Sequence, residues 1–231
     1  MNGKLYGIGV GPGDPELLTV KAIKTIEKCR VIAVPEPTEG DRTAFSIVEK
    51  YLVGKELFEC RFEMTHDMEK RKKARQIVAE TIVKYLEKGK DVGFITLGDP
   101  TTYSTYMYIH SLVKEGGYER EIVPGITSFA AAAAAHGISL CEGGETLTLI
   151  PASHAADLDE LLARPGNKVI MKSGRKLETV LSKLKELGYG SSTKIAYRAA
   201  MADQRLFGSI EDFEKSPESG YFTLAIVKER K

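Results

Sequence analysis

The chain has no charge excess of either sign. Its 33 Lys and Arg against 32 Asp and Glu leave a formal charge of +1. No global field therefore draws it to nucleic acid or to a membrane surface, and any anionic ligand must be met by local Arg or Lys. Paired cysteines are missing too. Cys29, Cys60 and Cys141 are odd in number, far apart and without a CxxC spacing. That excludes a disulfide framework and points to a reducing cytoplasm. No run approaches the ~18 apolar residues of a membrane span. The start, Met1 to Leu5, enters a strand pattern without the apolar core of a signal peptide, so none is expected.

The common catalytic signatures are also lacking. There is no HExxH, no metal-spaced Cys/His set and no GxSxG elbow, so neither a metal site nor a serine nucleophile is expected. His66, His110, His136 and His154 show no mutual spacing and read as structural or exposed. Glycines stand at 7, 9, 11 and 13, which invites a dinucleotide fingerprint. GxGxxG fails in each register, because Pro12, Asp14 and Glu16 occupy the places of its last glycine. No Gly-Lys-Ser/Thr follows to make a phosphate loop, and Asp14 would repel a pyrophosphate. A chain without nucleophile or metal suits a reaction whose power lies in the bound reagent, with the protein supplying position and electrostatics.

What is present is strand–turn–helix alternation over 231 residues, 42% hydrophobic and 28% charged, as in soluble globular proteins. Leu5 to Val10 reads as a buried strand, followed by an amphipathic helix over 19–29 with Val20, Ile23 and Ile26 on one face. Strands over 30–34 and 57–62 follow, separated by a polar loop over 38–42 and a short helix over 43–51. A long helix spans 67–88. Its Lys70-Arg71-Lys72-Lys73 cluster reads as a solvated first turn, since neither aromatic interleaving nor overall charge supports nucleic acid. A strand over 92–97 runs through Gly98-Asp99-Pro100 into a helix over 103–114. A strand over 119–123 runs through Pro124-Gly125-Ile126-Thr127-Ser128 into Phe129 and six alanines, a strong helix former. Near Gly143-Gly144 the texture changes. Strands over 146–151, 168–171, 194–197, 205–209 and 221–227 alternate with helices over 154–163 and 177–187. The expectation is two α/β domains, 1–143 and 146–231, the second with antiparallel pairing.

Three turns share one character. Gly11-Pro12-Gly13-Asp14, Gly98-Asp99-Pro100 with Thr101, Thr102, Ser104 and Thr105, and Pro124 to Ser128 each follow a strand. In a parallel sheet, strand ends that feed helices are where ligands bind. The three junctions are expected to lie together at one sheet edge. Their acid and hydroxyl content favours a neutral, cationic or zwitterionic ligand over an anion.

Taken in order and at these separations, Gly7 to Thr19, Gly98-Asp99-Pro100 and Pro124 to Ser128 resemble the tetrapyrrole methylase family. The run from Gly98 to Tyr108, followed by Val123 to Phe129, is most similar to its precorrin-2 C20-methyltransferases. The resemblance implies a class III S-adenosylmethionine-dependent methyltransferase, a homodimer of two-domain α/β chains with the active site between the domains. It implies methylation of C20 of precorrin-2 or cobalt-precorrin-2 in cobalamin biosynthesis, with S-adenosylhomocysteine as the other product. Pro12, Gly98, Asp99, Thr102, Thr127 and Ser128 match cofactor contacts, Asp99 as a partner for the ammonium group. Met171 matches a residue packing on the adenine, and Ala199 one whose backbone reads its edge. Met171-Lys172 stands where many relatives have Met-Gly, which suggests a substrate-facing lysine. The tetrapyrrole carries acetate and propionate arms, and Arg42, Lys172, Arg175 and Arg198 are the loop cations placed to bind them. No residue is assigned as the proton-removing base. The other readings are a sibling methylating another carbon, diphthine synthase, or a cofactor-binding protein without activity.

Overall fold

β1 (Leu5–Gly9) is buried along its whole length and has a parallel partner on each side. In the computed structural model the described residues are 1–36, 42–62, 67–215 and 222–229. The expected 38–42 loop apart from Arg42, His66, and the first residue of the expected 221–227 strand lie outside them. The chain divides into two compact units, Met1–Thr127 and Ser128–Lys231.

The first unit is built on five parallel strands. With β2 (Val31–Glu36), β3 (Glu56–Arg61), β4 (Val92–Thr96) and β5 (Arg120–Val123), the order is β3-β2-β4-β1-β5. Period-two alternation gives the sheet two apolar faces. Tyr6, Ile8, Ile32, Val34 and Ile95 face α1 (Val20–Lys28) and α2 (Thr43–Val48), through Ala22, Ile26, Ile47 and Val48. Leu5, Val31, Ala33, Val92 and Phe94 face α3 (Met68–Glu87) and α4 (Tyr106–Glu115). α1 and α3 start where the sequence places caps. Thr19 Oγ1 accepts from the Ala22 N–H at 3.0 Å, and Asp67 Oδ1 accepts from the N–H groups of Glu69 (3.0 Å) and Lys70 (3.1 Å). Gly7 has a packing reason: a Cβ there would stand 2.1 Å from the fully buried ring of Tyr106.

α4 begins at Tyr106, three residues later than the periodicity predicts, because Tyr103 has φ +51° and cannot continue a right-handed helix. Four such non-glycine residues occur among the described residues: Tyr103, Lys172, Arg198 and Ala200.

The second unit is a mixed sheet. β6 (Leu147–Pro151) and β7 (Asn167–Met171) are parallel, and β10 (Thr223–Val227) runs antiparallel to β7 and to β8 (Thr193–Tyr197). β9 (Arg205–Phe207) closes the order β6-β7-β10-β8-β9. One face packs α6 (Leu158–Ala163), α7 (Leu177–Glu186) and α8 (Ile210–Lys215). The other takes α5 (Ser128–Ala135), whose Ala132 and Ala133 lie against Val169, Ala196, Leu224 and Ile226. The sequence reading ends the first domain at 143, after this helix; the packing sets the helix with the second sheet. α6 starts at Leu158 rather than His154, since Asp157 caps it, Oδ1 accepting from the Glu160 N–H at 3.2 Å.

At the amino edge of the first sheet, Glu121 bridges two lysines, with Lys21 Nζ at 2.6 Å and Lys4 Nζ at 2.9 Å. Hydrogen bonds from Lys21 and then Lys4 hold its carboxyl at about 2 rather than the usual 4.5. A depressed carboxylate stabilises the fold above its unfolded value and loses that contribution as pH falls through the folded one. The loss should therefore run from pH 4.5 down to about 2. Solvent screening limits it to about 1 kcal/mol. In urea titrations across that range, Glu121→Gln is expected to flatten the stability profile relative to the wild type. An unchanged profile would show that the bridge contributes nothing.

Candidate functional site

β4, β1 and β5 are adjacent and parallel, so the loops after them leave side by side. These are the three turns singled out in the sequence, and backbone locks them together. Val10 N–H donates to Thr96 O at 3.0 Å. Gly11 and Gly98 exchange N–H to O bonds of 3.3 and 2.8 Å, both glycines in the left-handed region with φ +78° and +71°. The third loop enters through Asp99. Its Oδ2 accepts from the Gly125 N–H at 2.9 Å, and its Oδ1 from the Thr101 N–H at 2.8 Å and from the Thr101 hydroxyl. Only 8% of Asp99 is exposed.

The approach leaves no room for side chains. A Cβ on Gly9 would lie 2.6 Å from Gly125 N and 2.7 Å from Gly98 O, and a Cβ on Gly125 only 2.2 Å from Gly98 O. Since these neighbours are main chain, they cannot swing aside. Gly9 and Gly125 are therefore the positions at which three loops touch backbone to backbone.

Around this junction Pro12 is buried, while Thr102 and Thr127 are half-buried. Thr127 ends the first unit, and Ser128 opens α5 in the second. Asp14 Oδ1 accepts from the Glu16 N–H at 2.8 Å, capping one 3-10 turn over Pro15–Leu17. Ser104 Oγ pairs with Thr96 Oγ1 at 2.8 Å and accepts from the Tyr106 N–H at 3.2 Å, so this hydroxyl starts α4. No Lys or Arg occurs in 10–14, 97–105 or 124–128. The edge thus offers main-chain polar groups and hydroxyls and lacks a cation to meet a phosphate. The expected ammonium partner, Asp99, places both oxygens on its own chain, and its demonstrable task is to hold the loops.

In the second unit, β6, β7 and β8 run in one direction, and their following loops open on one edge. Met171 is half-buried at the rim of the core to which Ala199 belongs. Lys172, Arg198 and Ala200 carry φ of +53°, +50° and +61°. Ser153, which the sequence reading passed over, donates its N–H to Lys172 O (3.1 Å) and its hydroxyl to Ser173 O (2.7 Å). Arg198 Nε meets Asp203 Oδ1 at 2.7 Å, and its guanidinium lies 5.3 Å from the Phe222 ring. Arg175 is exposed. Arg42 belongs to the first unit, where it pairs with Glu59 at 3.5 Å and lies over the Phe45 ring at 4.6 Å.

Two histidines, His110 and His136, take structural roles. His110 Nδ1 is 3.0 Å from the Tyr106 hydroxyl and His136 Nε2 3.1 Å from Ile195 O, and burial pushes both below the usual imidazole range. Among the described residues, no group of three or more His, Cys, Asp or Glu is placed to hold a metal, and no helix is long and apolar enough to cross a membrane.

Comparison with known proteins gives a consistent answer. A family profile described as Tetrapyrrole (Corrin/Porphyrin) Methylases matches residues 4–214. The chain is 37% identical over 227 residues to a probable cobalt-precorrin-2 C(20)-methyltransferase of Methanocaldococcus jannaschii, covering 97% of this chain and 96% of that protein. It is 31% identical over 234 residues to the cobalt-precorrin-2 C(20)-methyltransferase of Salmonella typhimurium, covering 100% and 98%. A solved cobalt precorrin-4 methyltransferase matches with a TM-score of 0.77 at 25% identity, over 97% of this chain and 94% of that one.

Two variants test the junction. Asp99→Ala leaves the N–H groups of Thr101 and Gly125 without their acceptor, at about 1–3 kcal/mol each. It should lower the urea midpoint and weaken S-adenosylhomocysteine binding about tenfold or more. Unchanged affinity, read by calorimetry, would mean that the turn holds its shape without this carboxylate. Gly125→Ala should cost about 1–3 kcal/mol of stability through overpacking. A midpoint equal to that of the wild type would show that the loops can part.

Proposed function

The chain belongs to the tetrapyrrole (corrin/porphyrin) methylases, and we propose that within that family it methylates C20 of cobalt-precorrin-2. The observation that carries this reading is the end-to-end 37% identity to a relative named for that reaction. The family's methyl donor is S-adenosylmethionine. It brings a sulfonium-activated methyl group and departs as neutral S-adenosylhomocysteine.

The protein's part is placement. Pro12, Gly98 and Thr102 on one side of the junction, with Thr127 and Ser128 after β5, are proposed to hold the donor, largely through main chain. Asp99 keeps their loops in register. Met171 offers a flexible thioether side chain for the adenine face, and the backbone at Ala199 is proposed to read its edge. Locking three loops before any ligand arrives limits the ordering cost of binding and favours in-line approach of the reacting carbon, worth up to several kcal/mol of the barrier. The cationless first edge supports this assignment, since it leaves Lys172, Arg175 and Arg198 in the second unit, with Arg42, to meet substrate carboxylates. The proposal includes a homodimer, taken from the family resemblance, and a cytoplasmic location, in keeping with Cys29, Cys60 and Cys141 as free thiols.

The test is incubation with methyl-labelled S-adenosylmethionine and either cobalt-precorrin-2 or its metal-free form, with NMR locating the label. The expected outcome is one label at C20 of the cobalt form. Label at another ring carbon would assign a sibling activity. Absence of transfer with intact donor binding would make the chain a cofactor-binding protein.

A further inference from the structure

Lysine is an unusual choice for a backbone at φ +53°, a conformation that glycine takes without strain and lysine does not. The conformation is imposed from outside the residue. Ser153, from the loop after β6, donates to the carbonyls of both Lys172 and Ser173 and fixes the path by which the chain leaves β7. Arg198 repeats the pattern where the chain leaves β8. Its N–H donates to Phe222 O at 3.2 Å, its carbonyl accepts from the Met201 N–H at 2.9 Å, and the Gln204 side chain takes the Ala200 N–H at 2.7 Å. Both turns are therefore held by several bonds around a residue that a glycine or asparagine would fit at lower cost. Backbone strain of this kind clusters at functional sites, and of the four such residues Lys172 and Arg198 are the two that carry a cation.

The two residues are close. β10 lies between β7 and β8 in the sheet, with Ala225 opposite Ile170 and Thr223 opposite Tyr197. Lys172 and Arg198 thus flank the start of β10 at one edge, about 10 Å apart, or two strand spacings. The Arg198 side chain is only 20% exposed, and Asp203 grips its Nε at 2.7 Å beside the Phe222 ring. The exposed Arg175 and the Glu59-paired Arg42 show no comparable preparation.

We propose that Lys172 and Arg198 are a two-cation clamp for carboxylate arms of the tetrapyrrole, with Asp203 as a positioning residue that sets the Arg198 guanidinium. The clamp rests on the functional reading above and deepens it by separating these cations from Arg175 and Arg42. It accounts for the strain: each turn accepts an unfavourable backbone to place a charge at the sheet edge.

The test uses Lys172→Gly and Arg198→Asn, substitutions that suit a left-handed backbone and remove the charge, together with Lys172→Gln and Asp203→Asn. Both strain-relieving variants should keep or raise the denaturation midpoint and bind S-adenosylhomocysteine within about twofold of the wild type, while KM for cobalt-precorrin-2 rises about tenfold with kcat little changed. Lys172→Gln should raise KM equally, which covers the case in which the glycine variant folds poorly. Asp203→Asn should raise KM by a smaller factor. Added salt should raise the wild-type KM more steeply than that of either charge-removed variant, because each variant keeps only one of the two screened attractions. Folded variants with an unmoved KM would overturn the clamp and leave the functional reading intact. A wild type that methylates no tetrapyrrole would overturn both.

Discussion

One buried carboxylate organises the edge of the first sheet at which three loops meet. Asp99 accepts from Thr101 within its own turn and from Gly125 in the loop after β5, while the neighbouring Gly98 exchanges main-chain bonds with Gly11 after β1. The three first-unit loops offered for the donor are thereby tied together, two by main chain and the third through the buried Asp99 side chain. The alternating glycines of β1 follow from this constraint. Gly7 yields to the Tyr106 ring and Gly9 to the backbone of residues 98 and 125. What looks in the sequence like a damaged dinucleotide fingerprint is a surface shaped for close main-chain contact.

The two sheets differ in the charge carried by the loops that follow their strands. The edge of the first is free of Lys and Arg across its three loops, and suits a reagent that is itself positively charged at sulfur. The edge of the second carries cations at 172 and 198 on strained backbone, suited to a polycarboxylate.

Much of this was legible in the residues. Strand–turn–helix patterning placed β1, β4 and β5 and their turns, and the hydroxyl and acid content of those turns excluded phosphate. Three features were not legible, each for a physical reason. The partner of Asp99 is Gly125, a contact across 26 positions that no local pattern encodes. Tyr103 carries no glycine or asparagine signal for a left-handed backbone, so the helix was drawn too early. The alanine helix has six small side chains after Phe129 and no polar face, so its sequence does not say which sheet it covers. Packing against Val169 and Leu224 decides that question.

The meeting of Gly9, Gly98 and Gly125 also bears on how the protein comes into being. These residues are distant in the chain and touch only when β1, β4 and β5 have already paired. A contact of such long range carries a large loop-closure entropy cost. The Gly11–Gly98 bonds join two of the loops, and the third is added only with the segment around residue 125. Once formed, the edge ties donor binding to the whole first sheet. A ligand held at this edge would therefore be expected to stabilise the first sheet and not merely the loops it touches.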